Sequence, residues 1–298
     1  MNNPLVTVCV ISYNSGETII ETLESVKNQT YSNIELIISD DHSSDNTIPI
    51  CEKWLAENKD RFTSMQLLTV ERNTGTTANV NRAYKASSGE WLKGIAADDI
   101  LLPNCLEDNV KYVGMHPEIE WLASKMKHYY GTFDEKNLVP YEGYYQDKLF
   151  CYNLDAEGQF MEELKSNFIG SPSVFLKKEL IEAMGYYNEK YVLLEDIPMN
   201  LKLMKTGHKC YFMDVFTVGY RKRDNTSKKL FSVQLANDDK AMTEDMKFEF
   251  FTDIQKKNYL KHYKLKRLFE KWGLNNRHSL VCRVLFTQAN NIIDIIYK

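Results

Sequence analysis

The sequence predicts an α/β protein in which helices cover both faces of a mostly parallel sheet. Four short apolar runs rich in β-branched residues alternate with segments whose apolar residues recur at helical spacing. This alternation is typical of parallel strands joined by right-handed crossovers. The 298 residues, 43% of them hydrophobic, suffice for a substantial core in one large domain or two small ones.

The first part of the chain gives the clearest elements. Strands are predicted at residues 6–12, 34–39, 65–70 and 91–96. Between the first two strands, Ile19, Leu23 and Val26 recur at the spacing of one helix face. The next helix is predicted to end near Asn58, and a third near Ser87, since a glycine follows shortly after it.

The second part of the chain is less regular. Short strands are predicted at 121–130, 173–176 and 211–213, and helices at 178–184 and 197–207. The segment 129–152, rich in Tyr and Gly, is predicted to be ordered but irregular. From about residue 228 onward the pattern is helical.

Polar residues follow three of the predicted parallel strands, at Ser12-Tyr13-Asn14, Asp40-Asp41 and Asp98-Asp99. The carboxyl ends of parallel strands share one edge of the sheet, so these loops predict a nucleotide lying across that edge. The first strand is not followed by G-x-G-x-x-G, which argues against a dinucleotide site. The sequence also lacks G-x-x-x-x-G-K-[ST], which excludes a P-loop.

Asp98 and Asp99 end the apolar run Trp91 to Ala97 and are followed at once by another apolar segment. Adjacent carboxylates at a strand end suit Mg²⁺ or Mn²⁺ and the phosphates that such a cation neutralises. An acidic helix N-terminus is the alternative interpretation, because Asp is also favoured there. The residues alone leave both interpretations open.

Charge and composition restrict the partners. A formal net charge of −4 argues against nucleic acid as a general partner, but the tail from Ile254 to Lys298 carries +8, so the rest carries −12. The six cysteines are scattered without a C-x-x-C pair, which favours reduced thiols in a cytoplasmic protein. We expect neither a signal peptide nor a membrane span, since no apolar run reaches about 18 residues.

Several blocks, in this order, resemble family 2 glycosyltransferases, which have the GT-A fold. Each block is weak alone, but together they cover roughly residues 4–227. The blocks are Val6 to Asn14, Leu23 to Tyr31, Glu35 to Thr47, Asn73-Thr74-Gly75 with Asn81, Ala97-Asp98-Asp99, Gly185 to Glu189, and Glu195-Asp196. The resemblance implies a catalytic domain at 1–227, with a nucleotide-binding half at 1–103 and an acceptor half at 104–227. A basic helical extension would then occupy 228–298.

The resemblance implies a donor site at the strand ends. Asp40 would accept a hydrogen bond from the base of the donor, and Ser12, Tyr13 and Asn14 would line the same pocket. Asn73 and Gly75 belong to the next donor-side block. The alternative for Asp40 is a residue that merely forms a turn.

The resemblance also implies which residues bind the metal and which one acts as the general base. Asp98 and Asp99 would hold Mn²⁺ or Mg²⁺ and reach the ribose or diphosphate, so that the metal neutralises the leaving nucleoside diphosphate. Asp196 would be the general base that deprotonates the acceptor hydroxyl, from a strand-to-helix turn. The alternative for Asp196 is a cap of the helix that starts at Ile197.

Two positions depart from the family pattern. Ala96 stands where the family often has an additional Asp before the metal-binding Asp. Arg223 stands where a Tyr-Arg-x-His block supplies a His. Arginine cannot ligate a cation, but it can pair with a diphosphate through two parallel hydrogen bonds. We therefore expect Arg223 to bind the donor and metal dependence to be less strict.

The basic tail has two interpretations. Leu265, Leu268, Phe269 and Trp272 recur at helical spacing among lysines and arginines. The helix either packs on the catalytic domain with a solvated basic face, or docks on an anionic cytoplasmic membrane surface. The second interpretation would place the enzyme peripherally at the inner face of the cell membrane.

The leading prediction is an inverting glycosyltransferase with a nucleotide-sugar donor, most simply UDP-linked. Its acceptor would be a glycan or lipid-linked saccharide in the synthesis of a surface polysaccharide such as O-antigen or capsule. The alternative is a non-catalytic subunit that binds nucleotide sugar or glycan in an assembly complex. A sugar nucleotidyltransferase is disfavoured, because Tyr13 to Glu17 lacks the Gly-rich basic loop such enzymes carry.

Overall fold

The computed structural model describes residues 3–140, 146–222, 232–276 and 279–296. The strands in these ranges are β1 Val6–Ser12, β2 Ile34–Asp40, β3 Ser64–Leu68, β4 Trp91–Ala96, β5 Ile100–Leu101, β6 Trp121–Tyr130, β7 Phe175–Lys177 and β8 Tyr211–Lys222. The α-helices are α1 Ile19–Lys27, α2 Thr47–Glu57, α3 Thr76–Ala86, α4 Cys105–Met115, α5 Ala156–Lys165, α6 Lys178–Ala183, α7 Asp196–Lys205, α8 Val233–Met242, α9 Asp253–Lys271 and α10 Leu280–Ile296.

All eight strands form one sheet in the order β3-β2-β1-β4-β7-β6-β8-β5. The first four strands are mutually parallel, as predicted from the alternation of strands and helices. β7 then runs antiparallel to β4 and to β6, while β8 runs parallel to β6. The sheet is therefore parallel on its first side and mixed on its second.

Two apolar cores lie on the two faces of the sheet. One core packs α1, α2 and α4 against the sheet, around residues such as Leu23 and Trp54. The other packs α3, α5, α6 and α7, around residues such as Tyr84 and Phe160. The buried strands β1 and β2 contribute side chains to both cores, which explains their nearly continuous apolar sequence.

The strand predicted at 211–213 is much longer in the structure, where β8 extends to Lys222. Its pairing with β6 shifts register, so that Met213 lies opposite Ser124 but Phe216 lies opposite Lys125. The bulge breaks the regular pairing of the two strands, so no simple sequence pattern marks the continuation of β8 beyond Met213. The correction matters because the end of β8 reaches the candidate site.

The segment preceding Asp196 is also different from the prediction. Within the described range 146–222, residues 191–194 form no strand, so Asp196 does not follow a strand-to-helix turn. The Val192 carbonyl instead accepts a hydrogen bond from the Thr77 N–H, and the Leu193 N–H donates to Asp238. Those two contacts hold the segment between α3 and α8.

The described part of the C-terminal extension, residues 228–298, contains the helices α8, α9 and α10. The hydroxyls of Tyr259 and Tyr263 on α9 donate to Asp239 and Asn237 on α8. Phe269 is buried, and its ring meets that of Phe286 on α10. The part of the chain that the structure describes contains no helix long and apolar enough to cross a membrane. All six cysteines are buried and free.

Gly75 precedes α3 in a conformation that requires glycine. Its φ is 92°, and a Cβ built there would lie 2.3 Å from a methyl carbon of Val192. Its N–H donates to the Asp41 carboxylate at 2.7 Å. Gly131 offers a comparison, because its φ is 72° but a Cβ built there would meet no heavy atom within 4 Å.

We predict that Gly75→Ala lowers the free energy of unfolding more than Gly131→Ala does. A positive φ costs a residue with a side chain about 1–3 kcal/mol in either variant, while overpacking against Val192 adds about 1–3 kcal/mol in Gly75→Ala alone. Urea unfolding of both variants measures the difference. Equal losses in the two variants would show that Val192 moves aside freely.

Candidate active site

A cleft of about 530 Å³ opens at the carboxyl end of β4, between the sheet and α7. Asp98 and Asp99 line it from the sheet side, and Glu195 and Asp196 line it from the start of α7. Arg221 of β8 completes this set of charged residues. The structure therefore brings the predicted metal-binding pair and the predicted general base into one cavity, although about a hundred residues separate them in sequence.

The Asp98–Asp99 turn is held firmly by neighbouring elements. Asp99 is only 2% exposed, and its carboxylate accepts the Arg221 backbone N–H at 2.8 Å. The Asp99 carbonyl accepts the Thr22 hydroxyl of α1 at 2.7 Å, and the Asp98 carbonyl accepts the Arg221 side chain at 2.7 Å. The turn is thus fixed between α1 and β8 before any ligand binds.

Arg221 was not among the residues predicted from sequence. Its guanidinium forms an ion pair with Glu21, donates to the Gly131 carbonyl, and lies 4.3 Å from the centre of the Phe133 ring. The prediction considered the same short block but assigned the donor contact to Arg223, which lies outside the described residues. The basic block Tyr220 to Arg223 was itself the available sequence signal.

The carboxylates fit a divalent cation of the magnesium type. Among the described residues, no group of three or more His, Cys, Asp or Glu side chains is placed to hold a metal. Mg²⁺ is commonly bound through only one or two carboxylates, with substrate phosphates and water supplying the other oxygens. Asp98 and Asp99 can supply that share of the ligands.

Asp196 is the first residue of α7, and Glu195 is the N-cap. One carboxylate oxygen of Asp196 accepts the Ile197 N–H at 2.8 Å, and the Asn167 side chain also hydrogen-bonds to this carboxylate. Burial raises the pKa of Asp196 above its ordinary value. Burial also raises the pKa of Glu195, and the neighbouring Asp196 charge adds to this effect. A raised pKa brings a carboxylate closer to the range in which it accepts a proton at neutral pH.

Asp40 lies at the end of β2, fully buried. Its carboxylate accepts the Ser12 hydroxyl at 2.8 Å, the Ser43 N–H at 2.7 Å and the Ser43 hydroxyl at 2.6 Å. These bonds are those of a turn-forming aspartate, and they occupy three of about four acceptor positions on the carboxylate. Binding of the donor base by Asp40 stays a prediction, and it would use the remaining position or displace one serine.

The turn after β1 is hydrogen-bonded to the loop that follows β2. The Asn14 N–H donates to the Ser43 hydroxyl at 2.7 Å, and the Asn14 side-chain oxygen accepts the Ser44 N–H at 2.8 Å. Asn14 adopts a positive φ of 50° to make both contacts. Tyr13 is 51% exposed, which leaves its ring open to solvent at the edge of the sheet.

The predicted donor-side residues lie beside the cleft. Among the described residues, the lining of the cleft does not include Ser12, Tyr13, Asn14, Asp40, Asn73 or Gly75. Ile11 and Thr76 do line it, and they adjoin these residues in sequence. Asn73 is exposed and Gly75 is buried. The site therefore has two adjoining parts, one at the ends of β1 and β2 and one beyond the end of β4.

Two tyrosines in the cleft, the buried Tyr84 and the partly buried Tyr187, were not among the predicted site residues. The hydroxyls of Tyr84 and Tyr187 hydrogen-bond to each other, and both lie near enough to Glu195 for its charge to raise the pKa of their phenols, whose shifts are caused chiefly by burial. Gly94 makes room for this pair, because a Cβ there would lie 2.7 Å from the Tyr84 hydroxyl. Tyr84, on a face of α3, resembles any core residue, whereas Tyr187 lies in the block Gly185 to Glu189 that carries part of the family resemblance.

The sequence of residues 7–179 matches the family model described as "Glycosyl transferase family 2". The chain belongs to this family. The GT-A fold predicted from sequence is also confirmed by solved structures. Staphylococcus aureus TarS (residues 1–349), in complex with UDP-GlcNAc, superposes with a TM-score of 0.62 at 19% identity, covering 97% of this chain and 80% of that one. GalNAc-T7 with UDP, GalNAc and Mn²⁺ superposes with a TM-score of 0.65 at 16% identity, covering 90% and 52%.

Several curated proteins are similar to this family 2 member in sequence. The uncharacterized glycosyltransferase MJ1057 of Methanocaldococcus jannaschii is 27% identical over 228 residues, which are 76% of this chain and 74% of the relative. The putative glycosyltransferase EpsE of Bacillus subtilis is 30% identical over 45% of this chain, which spans 46% of EpsE. The Escherichia coli protein WfgD, named as a UDP-Glc:α-D-GlcNAc-diphosphoundecaprenol β-1,3-glucosyltransferase, is 29% identical over 70% of this chain and 73% of its own length.

Proposed function

We propose that this family 2 protein is an inverting glycosyltransferase acting in surface polysaccharide synthesis. It would transfer a sugar from a UDP-linked donor to a glycan or a lipid-linked saccharide. The observation that carries the proposal is the cleft itself, where Asp98 and Asp99 face the same cavity as Asp196. A cation-binding pair and a half-buried base are the two groups that such a transfer requires.

The donor would lie across the ends of β1, β2 and β4, with its base near Asp40 and its diphosphate near Asp98. Asp98 and Asp99 would hold Mn²⁺ or Mg²⁺, which when bound neutralises the charge that develops on the leaving diphosphate. The guanidinium of Arg221, fixed beside the Asp98 carbonyl, adds positive potential at the same edge. The names of TarS bound to UDP-GlcNAc and of WfgD support a UDP-linked donor.

The acceptor hydroxyl would approach from the side of α7. Asp196 would remove its proton as the oxygen attacks the anomeric carbon, on the face opposite to the leaving diphosphate. Such a displacement inverts the configuration at that carbon. The Asn167 amide fixes the orientation of the Asp196 carboxylate, and the walls of the cleft keep bulk water from competing with the acceptor.

We predict that Asp98→Asn removes most transfer activity and weakens the Mn²⁺-dependent binding of UDP, because the amide loses the charge that the cation requires. Calorimetric titration of UDP with and without Mn²⁺ measures the binding, and Asp60→Asn, on an exposed turn far from the cleft, is the control. Full activity and an unchanged response to Mn²⁺ in Asp98→Asn would refute the metal assignment.

We predict that Asp196→Asn lowers kcat by ~10²-fold or more while UDP binding stays nearly unchanged. Because the base must be ionised, and burial raises the pKa of Asp196, the wild-type kcat should increase with pH through that raised pKa, above the ordinary value of about 4. An unchanged kcat in Asp196→Asn would eliminate this base. A wild-type protein that binds UDP-sugars without turnover would instead favour the non-catalytic alternative.

The C-terminal helices suggest the cellular surface at which the enzyme would bind its acceptor. Most exposed residues of α9 follow one stripe at helical spacing, which Trp272 continues beyond the helix: Ile254, Lys257, Lys261, Lys264, Arg267, Leu268 and Lys271. Tyr259 and Tyr263, which contact α8, lie on a different side of the helix. The predicted stripe is thus corrected, since Phe269 is buried while Trp272 is 62% exposed.

The adjoining helix α10 adds an exposed apolar surface. Its exposed large apolar residues are Leu280, Val281, Val284, Leu285 and Ile292. A stripe of lysines with an exposed tryptophan, beside apolar side chains, complements an anionic bilayer surface. We therefore propose that α9 and α10 dock the enzyme on an anionic cytoplasmic membrane, where a lipid-linked acceptor would be available.

We predict that the protein co-sediments with phosphatidylglycerol vesicles at low salt and is released at high salt, since each basic residue near such a surface contributes about 1 kcal/mol. Replacing Lys257, Lys261 and Lys264 by Glu should abolish the binding, whereas the control K53E/K59E/K136E, on other exposed surfaces, should retain most of it. If the wild-type protein stays in the supernatant, the membrane role is wrong.

A further inference from the structure

Glu163 is a buried carboxylate that the proposed reaction does not use directly. It lies on α5 with no exposed surface, directly behind the wall of the cleft that carries Asp196. Burial raises its pKa to about 7. A buried acid without a nearby arginine or lysine in hydrogen-bonding contact is costly, so its local contacts call for an explanation.

The two oxygens of Glu163 bind two different parts of the cleft wall. One accepts the Phe168 backbone N–H at 3.1 Å, and the other accepts the Asn200 side-chain amide at 3.1 Å. Both donors belong to residues that line the cleft. Glu163 therefore joins the loop after α5 to the second turn of α7.

The loop after α5 in turn reaches the proposed base. The Asn167 side-chain oxygen accepts the Ile169 N–H at 3.0 Å. The NH2 group of the same side chain is then left to donate to another acceptor. That side chain hydrogen-bonds to the Asp196 carboxylate. Asp196 and Asn200 are one helical turn apart on α7, so the contacts form a closed ring from Glu163 through Asn167 to Asp196 and back through Asn200.

We propose that Glu163 is a positioning residue for Asp196. By holding the Phe168 N–H and Asn200 from behind the wall, it keeps the Asn167 amide on the Asp196 carboxylate in the geometry needed for proton transfer. This inference rests on the proposed role of Asp196 as the base.

The charges around Glu163 give the role a pH signature. The groups that face it are Asp196 on α7, Lys247 from the turn Thr243–Lys247, and the buried thiols of Cys151 and Cys210. The charge of Asp196 adds to burial in raising the pKa of Glu163, so Glu163 is still uncharged while Asp196 ionises. The Asn167 hydrogen bond lowers the pKa of Asp196, so losing this bond should move the acid limb of the kcat profile to higher pH.

Two substitutions separate geometry from charge. Glu163→Leu removes both hydrogen-bond acceptors, and we expect kcat to fall by about tenfold or more with UDP affinity within twofold of wild type. Glu163→Gln keeps an acceptor for the Phe168 N–H, so it should retain most of kcat and leave the acid limb in place, whereas Glu163→Leu should move that limb to higher pH. Glu162→Gln is the matched control, because its neighbouring carboxylate pairs with Lys165 instead.

Hydrogen exchange provides a readout that does not depend on catalysis. In Glu163→Leu the amides of Phe168 and Ile169 should exchange faster, while those of β1 and β2 stay protected. If the wild-type protein transfers no sugar, the proposed function fails, yet selective exchange at residues 167–169 would still support the positioning contacts. If wild type is active and Glu163→Leu matches it in kcat, pH profile and exchange, the positioning role is wrong.

If Glu163→Leu does not fold, a second variant, Asn200→Ala, tests the same contacts. Asn200→Ala removes one of the two donors to Glu163 without burying a new group, and the same loss of kcat and local protection is expected. Wild-type kcat and protection in Asn200→Ala would overturn the proposal. A parallel loss of kcat and UDP affinity in either variant would also overturn it, by indicating general damage to the cleft.

Discussion

The parallel register of β1 with its two neighbours is the constraint on which the rest of the site depends. Ser12 lies opposite Asp40 on β2, and Ile11 lies opposite Ala96 on β4. Backbone hydrogen bonding along these strands therefore delivers three polar strand ends to one edge of the sheet. Because the side chains of β1 and β2 are buried on both faces, a one-residue shift in this register would move each of them into the opposite core.

Buried carboxylates then connect the loops at that edge. Asp40 joins the turn after β1 to the loop after β2, while Asp41 accepts N–H groups from Thr74 and Gly75 and pairs with Arg82. Each carboxylate satisfies backbone donors that would otherwise be buried without a partner. The donor side of the cleft is consequently preorganised by groups that look, from sequence, like candidates for binding the ligand themselves.

The acceptor side is assembled by contacts that are long in sequence. Arg221 reaches Glu21 and the Asp98 carbonyl, so the last strand of the sheet fixes the turn that follows β4. α5 and α7 enclose Glu163, whose contacts pass through Asn167 to Asp196. The two halves of the cleft thus differ in origin, because local strand ends build the first and packing between distant segments builds the second.

The sequence by itself determined the family and the first four strands, whereas metal binding by Asp98 and Asp99 stays a prediction. β1 and β4 have the predicted limits, because their apolar runs are buried and interrupted by polar turns at both ends. Local patterns of this kind depend only on whether successive side chains are buried. The sequence also predicts Asp196 as the general base through the Glu195-Asp196 block, and that role stays a prediction.

Only the tertiary structure decided which side chains meet. The length of β8 was hidden by a bulge, and the segment before Asp196 is held by α3 and α8 rather than by a sheet. Glu163 carries no local signal, since an acid on a helix is usually solvated, and the basic block around Arg221 does not reveal its distant partners. Their roles arise from partners far away in sequence, and which distant groups become neighbours is fixed by packing alone.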